Sequence, residues 1–597
     1  MIKRIKQKFL GDSCRDYVIQ NGVDWTSAAL NLKSQMEILL EQHYDTILAY
    51  RSELKYGNGD VLSSANDIDD MHPMVLHLHL STDGGQPFTF AKKNLWPLQA
   101  ILLDLPFHIR CKKENVLLLA LWMGNSKPNW YNFLNTYLRD SIVNKTTSFI
   151  FGNSSIHLKI RISTAVFDLP ALASVLNHNQ YNGVFGCIYC CAPGSVVRVG
   201  KGHSRKYGGI CDLRCDESYL RSCEIADQTG ESIFGSKGHS CLRDYVNIPS
   251  GIVLDSLHLL FENCTKTLLR QLIDLSSFRN SYNLGRHLSH FENVLGQICF
   301  PHFMQKPRSL KEMSYWKARD YQNFLFYFSL PTIYVSLFHK PLGGHQYALH
   351  FLSFIIASKY CYSPLANSFH EPVKCLFEYF HSNLNVLYGE NVCSVNMHLL
   401  LHLSDQIRRY GPLPYCSMFT FENQFLQFKK VHQGTSSVVS QICDKFMLMK
   451  HCKKFLKVCN YEKKKDILKV VFPSALASEN RFIDEGQVFF EGKRFLSRVH
   501  KKKSSKLSTV YEIIPTKGYT LVDAVRFRMF GGSILVDVEY LSIQNTPIVQ
   551  FDTSVFPNTS TTVLDIVRDR PCFFTASHSS VTDTIPLTSL LHACVIC

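Results

Sequence analysis

Alternation of apolar and polar residues marks two segments of the chain as strands. In the stretch VLHLHLSTDGG, residues 75–85, leucines alternate with His77 and His79, and the run ends at Asp83 before two glycines. In SSIHLKIRISTAVFDLPA, residues 154–171, apolar residues alternate with basic ones, and the run ends at Asp168. Both patterns predict half-exposed strands that end at a carboxylate. The two histidines are predicted on the side of the first strand that faces solvent or a helix.

The residues between these two runs predict the order of the elements. KNLWPLQAILLDL (93–105) and ENVLLLALWMG (114–124) are apolar enough for buried strands, and KPNWYNFLNTYLRDSIVNK (127–145) has helical spacing. The order strand, strand, strand, helix, strand is that of an RNase H-like fold. In that fold two neighbouring parallel strands carry aspartates to one edge of a mixed sheet, where they share divalent cations. Aspartate is also a common strand terminator, so ordinary strand ends remain the alternative.

Composition and charge narrow the class of protein. The 597 residues carry a formal net charge of +15, which favours an anionic partner such as nucleic acid or a membrane surface. The basic clusters at 463–465 and 501–506 are candidates for a nuclear import signal or a phosphate-binding patch, with a solvated loop as the alternative. The N-terminus lacks the apolar segment of a secretory signal, and the apolar stretch 321–339 contains Pro331 and polar residues, which indicates a buried helix pair and no membrane span. The 21 cysteines are therefore expected to be reduced thiols and metal ligands, as in the cytosol or nucleus.

Five segments, taken together and in order, resemble DDE transposases of the CACTA (EnSpm) type, within the CMC superfamily. They are STDGGQPFTFAKKNLWPLQAILLDLP, FDLPALASVLNHNQYNGVFGCIYC, PSGIVLDSLHLLFENC, SLKEMSYWKARDYQNFLFYFSLP and LYGENVCSVNMHLLLHLSDQIRRYGPLPYCSMFTFENQFLQFKK. The resemblance covers about residues 75–435 and continues more faintly beyond them. The core of this superfamily is similar to that of the recombinase that rearranges vertebrate antigen-receptor genes.

This resemblance implies an α/β chain with an RNase H-like mixed-sheet catalytic core interrupted by a large all-helical insertion. We expect the core in residues 71–264 and 396–450 and the insertion in residues 265–395. A mainly helical N-terminal region (1–70) and a small C-terminal β domain (470–597) are expected to flank them.

The resemblance also implies a catalytic triad of Asp83, Asp168 and Glu422, which would hold two Mg²⁺ (or Mn²⁺) ions about 3.5–4 Å apart. Asp83 is expected to bridge both ions, with Asp168 and Glu422 each holding one. Asp320 is the rival for the third position, because it stands where the family usually has Glu. Lys429 and Lys430 follow Glu422 by about two helical turns and are candidates for contact with a phosphate backbone.

Two further pairs of residues carry expected roles. The CxxC pair Cys187 and Cys190 and the i, i+4 pair His398 and His402 are predicted to form a structural Cys₂His₂ zinc site, with Cys191 as an alternative to Cys190. Asp255 and His258 form a DxxH box that is expected to contact the scissile phosphate or position flanking DNA. A plain amphipathic helix with a capping aspartate is the alternative for this box.

We therefore expect a nuclear DDE transposase that binds the inverted terminal repeats of a transposon as double-stranded DNA, cleaves it and joins 3′-hydroxyl ends to target DNA. By analogy with transposases, a homodimer is expected and a membrane role is not. A domesticated relative that binds DNA or a partner without cutting is one alternative, favoured by an N-terminus in which Cys14 has no zinc-finger partner. A nuclease of the same fold that does not transpose is the other.

Overall fold

The alternating segments form central strands of a mixed sheet in the computed structural model of the chain. The chain divides into two compact units, Met1–Leu260 with Tyr360–Lys374 and His381–Cys459, and Phe261–Lys359 with Cys375–Phe380 and Asn460–Cys597. The structure describes residues 19–21, 25–54, 73–86, 88, 93–139, 141–151, 154–199, 201–274, 280–298, 304, 308–340, 343–431, 437–458, 481–484, 487–490, 493–496, 510–516, 519–530, 533–547, 561–569, 574–586 and 590–593.

The strands of the first unit form an eight-stranded sheet and a separate hairpin. Their bounds are β1 (Ile19–Asn21), β2 (Trp25–Ala29), β3 (Met74–Thr82), β4 (Asn94–Leu102), β5 (Leu117–Gly124), β6 (Thr146–Phe151), β7 (Ser154–Phe167), β8 (Ser195–Val199), β9 (Gly202–Lys206) and β10 (Ile252–Leu254). The sheet order is β1-β2-β5-β4-β3-β7-β10, with β6 also paired to β7, whereas β8 and β9 pair only with each other. Neighbours are antiparallel from β1 to β3, and β3, β7 and β10 are parallel.

The described residues also form α-helices, 3₁₀ segments and π-helical segments. The α-helices are α1 (Leu32–Leu54), α2 (Phe107–Arg110), α3 (Trp130–Arg139), α4 (Leu169–Val175), α5 (Asp216–Thr229), α6 (Lys266–Ile273), α7 (Leu288–Gln297), α8 (Ala318–Asn323), α9 (Val335–Phe338), α10 (Gly344–Tyr362), α11 (His370–Tyr388), α12 (Val395–Leu399), α13 (Leu403–Tyr410), α14 (Phe419–Val431), α15 (Val438–Val458) and α16 (Thr561–Asp569). The 3₁₀ segments are Cys241–Asp244, Gly285–His287, Leu310–Tyr315, Ala366–Phe369, Glu390–Val392, Leu400–His402 and Leu413–Cys416, and the π-helical segments are Leu257–Thr265, Phe324–Phe328 and Leu330–Tyr334. The prediction of a mixed α/β chain with a mixed sheet is confirmed.

Two apolar clusters hold helices α14 and α15 against the sheet of the first unit. The larger joins apolar side chains of β2, β4 and β5 to both helices: Ala28, Leu30, Phe88, Leu95, Leu118, Leu121, Phe428, Val438, Val439, Ile442, Cys443, Phe446 and Met447. The smaller joins strand residues to the segment that leads into α14: Ile101, Leu103, Val116, Val166, Val253, Cys416, Met418 and Phe421. Burial of this apolar area fixes α14, which carries Glu422, beside the sheet.

Strand β3 is more buried than its sequence pattern predicts. His77 is 5% exposed and His79 is 0% exposed, so the prediction of a half-exposed strand is wrong for β3. His79 faces a helix, since its ring centroid lies 5.9 Å from that of Phe421 in α14. The alternation therefore reflects a central strand covered on both faces.

The region expected to be mainly helical at the N-terminus contains more than helix α1. Strands β1 and β2 pair with each other, and β2 pairs with β5 at the antiparallel end of the sheet. The pattern of residues 25–29 is too short to indicate a strand, and the pairing with β5 supplies the hydrogen bonds that stabilise it.

The second unit contains helices and the C-terminal strands. Its strands are β11 (Arg481–Asp484), β12 (Gln487–Phe490), β13 (Lys493–Leu496), β14 (Val510–Thr516), β15 (Tyr519–Phe530), β16 (Ser533–Pro547), β17 (Phe574–Pro586) and β18 (Leu590–Ala593). They form a three-stranded sheet, β11-β12-β13, and a five-stranded antiparallel sheet, β17-β16-β15-β14-β18. Within the described part of the chain, no helix has both the length and the apolar character needed to cross a membrane.

Candidate functional site

Three parallel neighbouring strands of the first unit each end at an aspartate. Strand β3 pairs with β7 in the register Ser81↔Val166, and β10 pairs with β7 in the register Leu254↔Phe167. The residues that follow in the same register are Asp83, Asp168 and Asp255. Because parallel strands have their carboxyl ends at the same edge, the three aspartates lie side by side there. The prediction that the strands leading to Asp83 and Asp168 are parallel neighbours is confirmed.

The negative charges of Asp83 and Asp168 repel each other at this edge. Burial and the neighbouring charge of Asp168 raise the pKa of Asp83 to about 7. Burial also raises the pKa of Asp168, although its carboxylate caps α4 by accepting a hydrogen bond from the backbone N–H of Ala171 at 2.7 Å. The charge of His258 acts in the opposite direction on both. A pair of carboxylates that repel each other in a partly buried position is stabilised by a cation.

The residue after Asp83 must be glycine for a packing reason. A Cβ atom at Gly84 would lie 2.2 Å from the indole ring of Trp96, which occupies the space above it. The Trp96 ring in turn packs edge-on against Trp130, at 5.3 Å between ring centroids. The turn that follows β3 is therefore held against this pair of indole rings, which limits the positions that Asp83 can take.

Asp255 is buried and fully engaged by hydrogen bonds. Its Oδ2 accepts from the backbone N–H of His258 at 2.9 Å and lies 2.7 Å from His258 Nδ1. Its Oδ1 accepts from the backbone N–H of Met418 at 2.9 Å, of Leu257 at 3.2 Å, and from Ser417 Oγ at 3.3 Å. Although burial opposes ionisation, these bonds and the charge of His258 lower the pKa of Asp255. Asp255 therefore ties the end of β10 to the segment that leads into α14.

His258 connects Asp255 to the predicted third catalytic carboxylate. Its Nδ1 faces Asp255, and its Nε2 lies 3.4 Å from Oε1 of Glu422. The side chains of His258 and Glu422 are 25% and 39% exposed, so both remain open to solvent. The structure thus brings the DxxH box and Glu422 together at the carboxyl ends of β7 and β10.

Two buried side chains that the sequence analysis assigned no role also hold the segment before α14. His79 Nε2 lies 3.2 Å from the backbone oxygen of Cys416, and its Nδ1 lies 2.7 Å from Thr164 Oγ1. Arg110 donates hydrogen bonds to the backbone oxygens of Tyr415 at 3.2 Å and Leu103 at 3.0 Å. No local sequence pattern indicates the contacts with Cys416 and Tyr415, because they join residues 337 and 305 positions apart.

The other predicted residues have different surroundings. Asp320 belongs to the second unit, where its carboxylate accepts a hydrogen bond from the backbone N–H of Lys317 at 2.9 Å and caps helix α8. Lys430 is exposed on α14. Lys429 lies on the same helix, and its side chain is outside the described residues.

The second predicted site is a buried group of two cysteines and two histidines. Cys187, Cys190, His398 and His402 offer donor atoms that all lie within 4.8 Å of one another. Among the described residues, these four form a group of His, Cys, Asp or Glu side chains with donor atoms this close together. The carboxylates at the sheet edge are more widely separated. The predicted Cys₂His₂ cluster is therefore present.

The donor distances match those of a tetrahedral zinc site. With Zn–S of about 2.3 Å and Zn–N of about 2.05 Å, tetrahedral geometry gives separations of about 3.8 Å for S to S, 3.3 Å for N to N and 3.6 Å for S to N. The structure has 3.8 Å between the two sulfurs and 3.4 Å between the two Nε2 atoms. Two of the four sulfur-to-nitrogen distances are 3.5 Å, from Cys187 to His402, and 3.3 Å, from Cys190 to His398. The four residues can therefore hold a metal such as zinc.

The surroundings of the cluster suit a structural metal. His398 Nδ1 lies 2.8 Å from the backbone oxygen of Gly208, which fixes the ring so that Nε2 faces the sulfurs. Burial lowers the pKa of His402 and raises the pKa of Cys187, so the imidazole is neutral and a buried thiolate needs a cation. The alternative ligand Cys191 is outside the group, and its backbone N–H donates to the oxygen of Asp212 at 2.9 Å. Four protein ligands leave no open coordination position.

Comparison with known families gives a match to part of the chain. The model of a family described as a protein of unknown function (DUF1258) matches residues 26–220, about a third of the chain. The matched range contains Asp83, Asp168 and the two cysteines of the cluster, and it ends before the DxxH box, the histidines and Glu422. No curated protein matches the chain.

Proposed function

We propose that this chain is a DDE transposase of the CACTA type with an RNase H-like core. The observation that carries the proposal is the in-register ending of β3 and β7 at Asp83 and Asp168, with Glu422 linked to the same edge through His258. The antiparallel order β5-β4-β3 followed by the parallel strands β7 and β10 supports that fold. Helices α6 to α11, which lie between β10 and Glu422 in the sequence, would constitute the insertion.

Asp83, Asp168 and Glu422 would hold the two Mg²⁺ or Mn²⁺ ions. Carboxylate oxygens are the ligands these ions prefer, and the raised pKa values of Asp83 and Asp168 support a cation at this edge. When bound, such ions supply activation of a nucleophilic oxygen and neutralisation of charge on the phosphate. Glu422 would share its carboxylate between an ion and His258 or release the histidine.

Asp255 and His258 would position Glu422 and would not themselves bind a metal ion. Asp255 has its oxygens engaged by donors of the protein, whereas His258 presents Nε2 toward Glu422. His258 would thereby orient Glu422 and counter the combined negative charge of the aspartates. The Cys₂His₂ cluster, as a zinc site, would fasten the segment after α4 to the helices before α14.

In this proposal the substrate is double-stranded DNA, the protein acts as a homodimer and its place is the nucleus. The net charge of +15 supports an anionic substrate. The exposed Lys430 on the helix of Glu422 supports DNA contact near the site.

The proposal is tested by cleavage and strand-transfer assays with Mg²⁺ or Mn²⁺ on DNA from the ends of the element that encodes the chain. Wild type is compared with Asp83→Asn, Asp168→Asn and Glu422→Gln. We expect cleavage by wild type and none by the three variants. If all four proteins cut equally, the catalytic assignment is wrong. If wild type binds the ends and does not cut them, the chain is a DNA-binding relative without catalysis.

A further inference from the structure

The hairpin of β8 and β9 presents one basic face. Its register pairs Val196 with Arg205 and Arg198 with His203. Residues that are directly paired, or two apart on one strand, share a face of the ribbon, so these four side chains lie on one side. Lys201 lies in the turn between the strands.

The end of this face next to the turn is open to solvent, whereas Arg205 at its other end is half-buried and donates hydrogen bonds to the backbone oxygens of Asn182 and Gly194. Val196 is 58% exposed, and Arg198, Lys201 and His203 are exposed as well. Within the described part of the chain, the side chains of Arg198, Lys201 and His203 have no hydrogen-bond or ion-pair partner.

The opposite face of the ribbon is attached to the body of the first unit. Lys206, on that face, is buried and donates a hydrogen bond to the backbone oxygen of Asn391. The next residue, Tyr207, donates from its backbone N–H to the oxygen of Cys393 at 3.0 Å, and from its hydroxyl to the oxygen of Gly183 at 2.6 Å. These hydrogen bonds therefore hold the hairpin, and with it the basic face, in a fixed position on the first unit.

The residues that follow β9 contact the Cys₂His₂ cluster. Tyr207 packs against the ring of His398 at 5.6 Å between centroids, and the oxygen of Gly208 bonds to Nδ1 of the same histidine. The cluster's cysteines, Cys187 and Cys190, precede β8. A metal bound by the cluster would hold the residues after β9 more rigidly and would leave the exposed side chains of the basic face free to bind.

The hairpin belongs to a stretch of sequence without acidic residues, although the exposed Glu390 begins the 3₁₀ segment that contacts both of its strands. No Asp or Glu occurs between Asp168 and Asp212, a stretch that contains Arg198, Lys201, Arg205 and Lys206. Arg198 and Lys201 are exposed cations on a ribbon held by the body of the first unit, and such cations attract an anionic polymer. We propose that the β8–β9 hairpin binds the phosphate backbone of duplex DNA through Arg198, Lys201 and His203. A two-stranded ribbon also has the width that the major groove admits.

This inference deepens the proposed function and rests on it for the choice of DNA as the anion. It adds a DNA contact outside the carboxylate site, on an element to which the sequence analysis assigned no role. Loss of this contact would weaken DNA binding without removing any catalytic or zinc-binding group.

The test compares Arg198→Ala/Lys201→Ala with a control, Lys112→Ala/Lys113→Ala, which removes the same charge from two exposed lysines before β5. Binding of the full-length proteins to a fluorescent DNA duplex is measured by anisotropy from 50 to 200 mM salt. Each lost phosphate contact lowers the slope of log K against log salt by about 0.9, so the hairpin variant loses about 1.8. Over that range the affinity of wild type then falls about tenfold more than that of the variant. Zinc content and melting temperature should equal those of wild type, which confirms that the variant is folded.

The outcomes separate this inference from the proposed function. Equal slopes for the hairpin variant and the control, with DNA bound by wild type, would overturn the hairpin contact and leave the transposase proposal standing. Failure of wild type to bind any duplex would overturn both. If the hairpin variant lost binding only to single-stranded RNA or to vesicles with anionic lipid, the partner would be a different polyanion and the inference would be wrong. A reduced slope on duplex DNA, with wild-type zinc content, supports it.

Discussion

Replacement of Asp255 by alanine is expected to release the segment that carries Glu422 from the sheet. The side chain is 3% exposed and accepts hydrogen bonds from Leu257, His258, Ser417 and Met418. The two contacts from Ser417 and Met418 join the end of β10 to the start of α14, across more than 160 residues of sequence. Without the carboxylate these donors have no acceptor there.

The expected loss of stability follows from the hydrogen-bond donors that lose their acceptor when Asp255 is replaced. A buried donor without a partner costs about 1–3 kcal/mol, and loss of a capping carboxylate costs about 1 kcal/mol. Met418 is fully buried, so water does not replace the lost acceptor at its N–H. The sum for Asp255→Ala is therefore about 2–4 kcal/mol. Asp255→Asn keeps one acceptor oxygen and should lose about half as much.

Hydrogen exchange of peptides covering Leu413–Met418 measures this local effect. A loss of about 3 kcal/mol in the free energy of opening raises exchange of the Met418 amide by about a hundredfold. Because the pKa of Asp255 is lowered, wild type retains this stabilisation above its ordinary value of 3.8 and loses it as the pH falls below that value.

The control is Asp244→Ala, which removes an aspartate that is 66% exposed and pairs with Arg243 at 3.6 Å. An exposed pair of this kind contributes less than about 1 kcal/mol, so exchange near Met418 should not change. Equal exchange in Asp255→Ala and in the control would refute the role assigned to Asp255.

Three further predictions concern the metal sites and the catalytic assignment. Cys187→Ser should lower the zinc content by one ion per chain, whereas Cys191→Ser should leave it unchanged, as measured by atomic emission. Glu422→Gln should abolish DNA cleavage and Asp320→Asn should retain it; the reverse result would make Asp320 the third catalytic carboxylate. In metal-free protein the raised pKa of Asp83 means that its protonated form stabilises the fold at low pH. This stabilisation is lost as the pH rises from 3.8 to about 7. The melting temperature of Asp83→Asn should therefore rise relative to that of wild type over that interval. A difference that does not change with pH would show that Asp83 is not perturbed.

Local sequence pattern predicted the elements that carry the aspartates because a strand's side-chain alternation is a property of neighbouring residues. It identified the runs that end at Asp83 and Asp168, and the spacing of the CxxC and the two histidines on one helical face. It misjudged the burial of β3, since alternation alone does not show that α14 covers the second face. It also did not indicate β1 and β2, which depend on pairing with β5.

Which residues have the chemistry to act can be read from the sequence, whereas the long-range fold sets which of them come into contact. Cys190 and His398 are 208 positions apart, and only the fold brings them to 3.3 Å and leaves Cys191 outside the group. Likewise, the sequence assigns Asp255 to a DxxH box, with helix capping as the alternative, and the structure engages it with Met418 before the helix of Glu422. The physical reason is that contacts across long sequence separations depend on apolar burial that aligns whole strands and helices, which no short window of sequence contains.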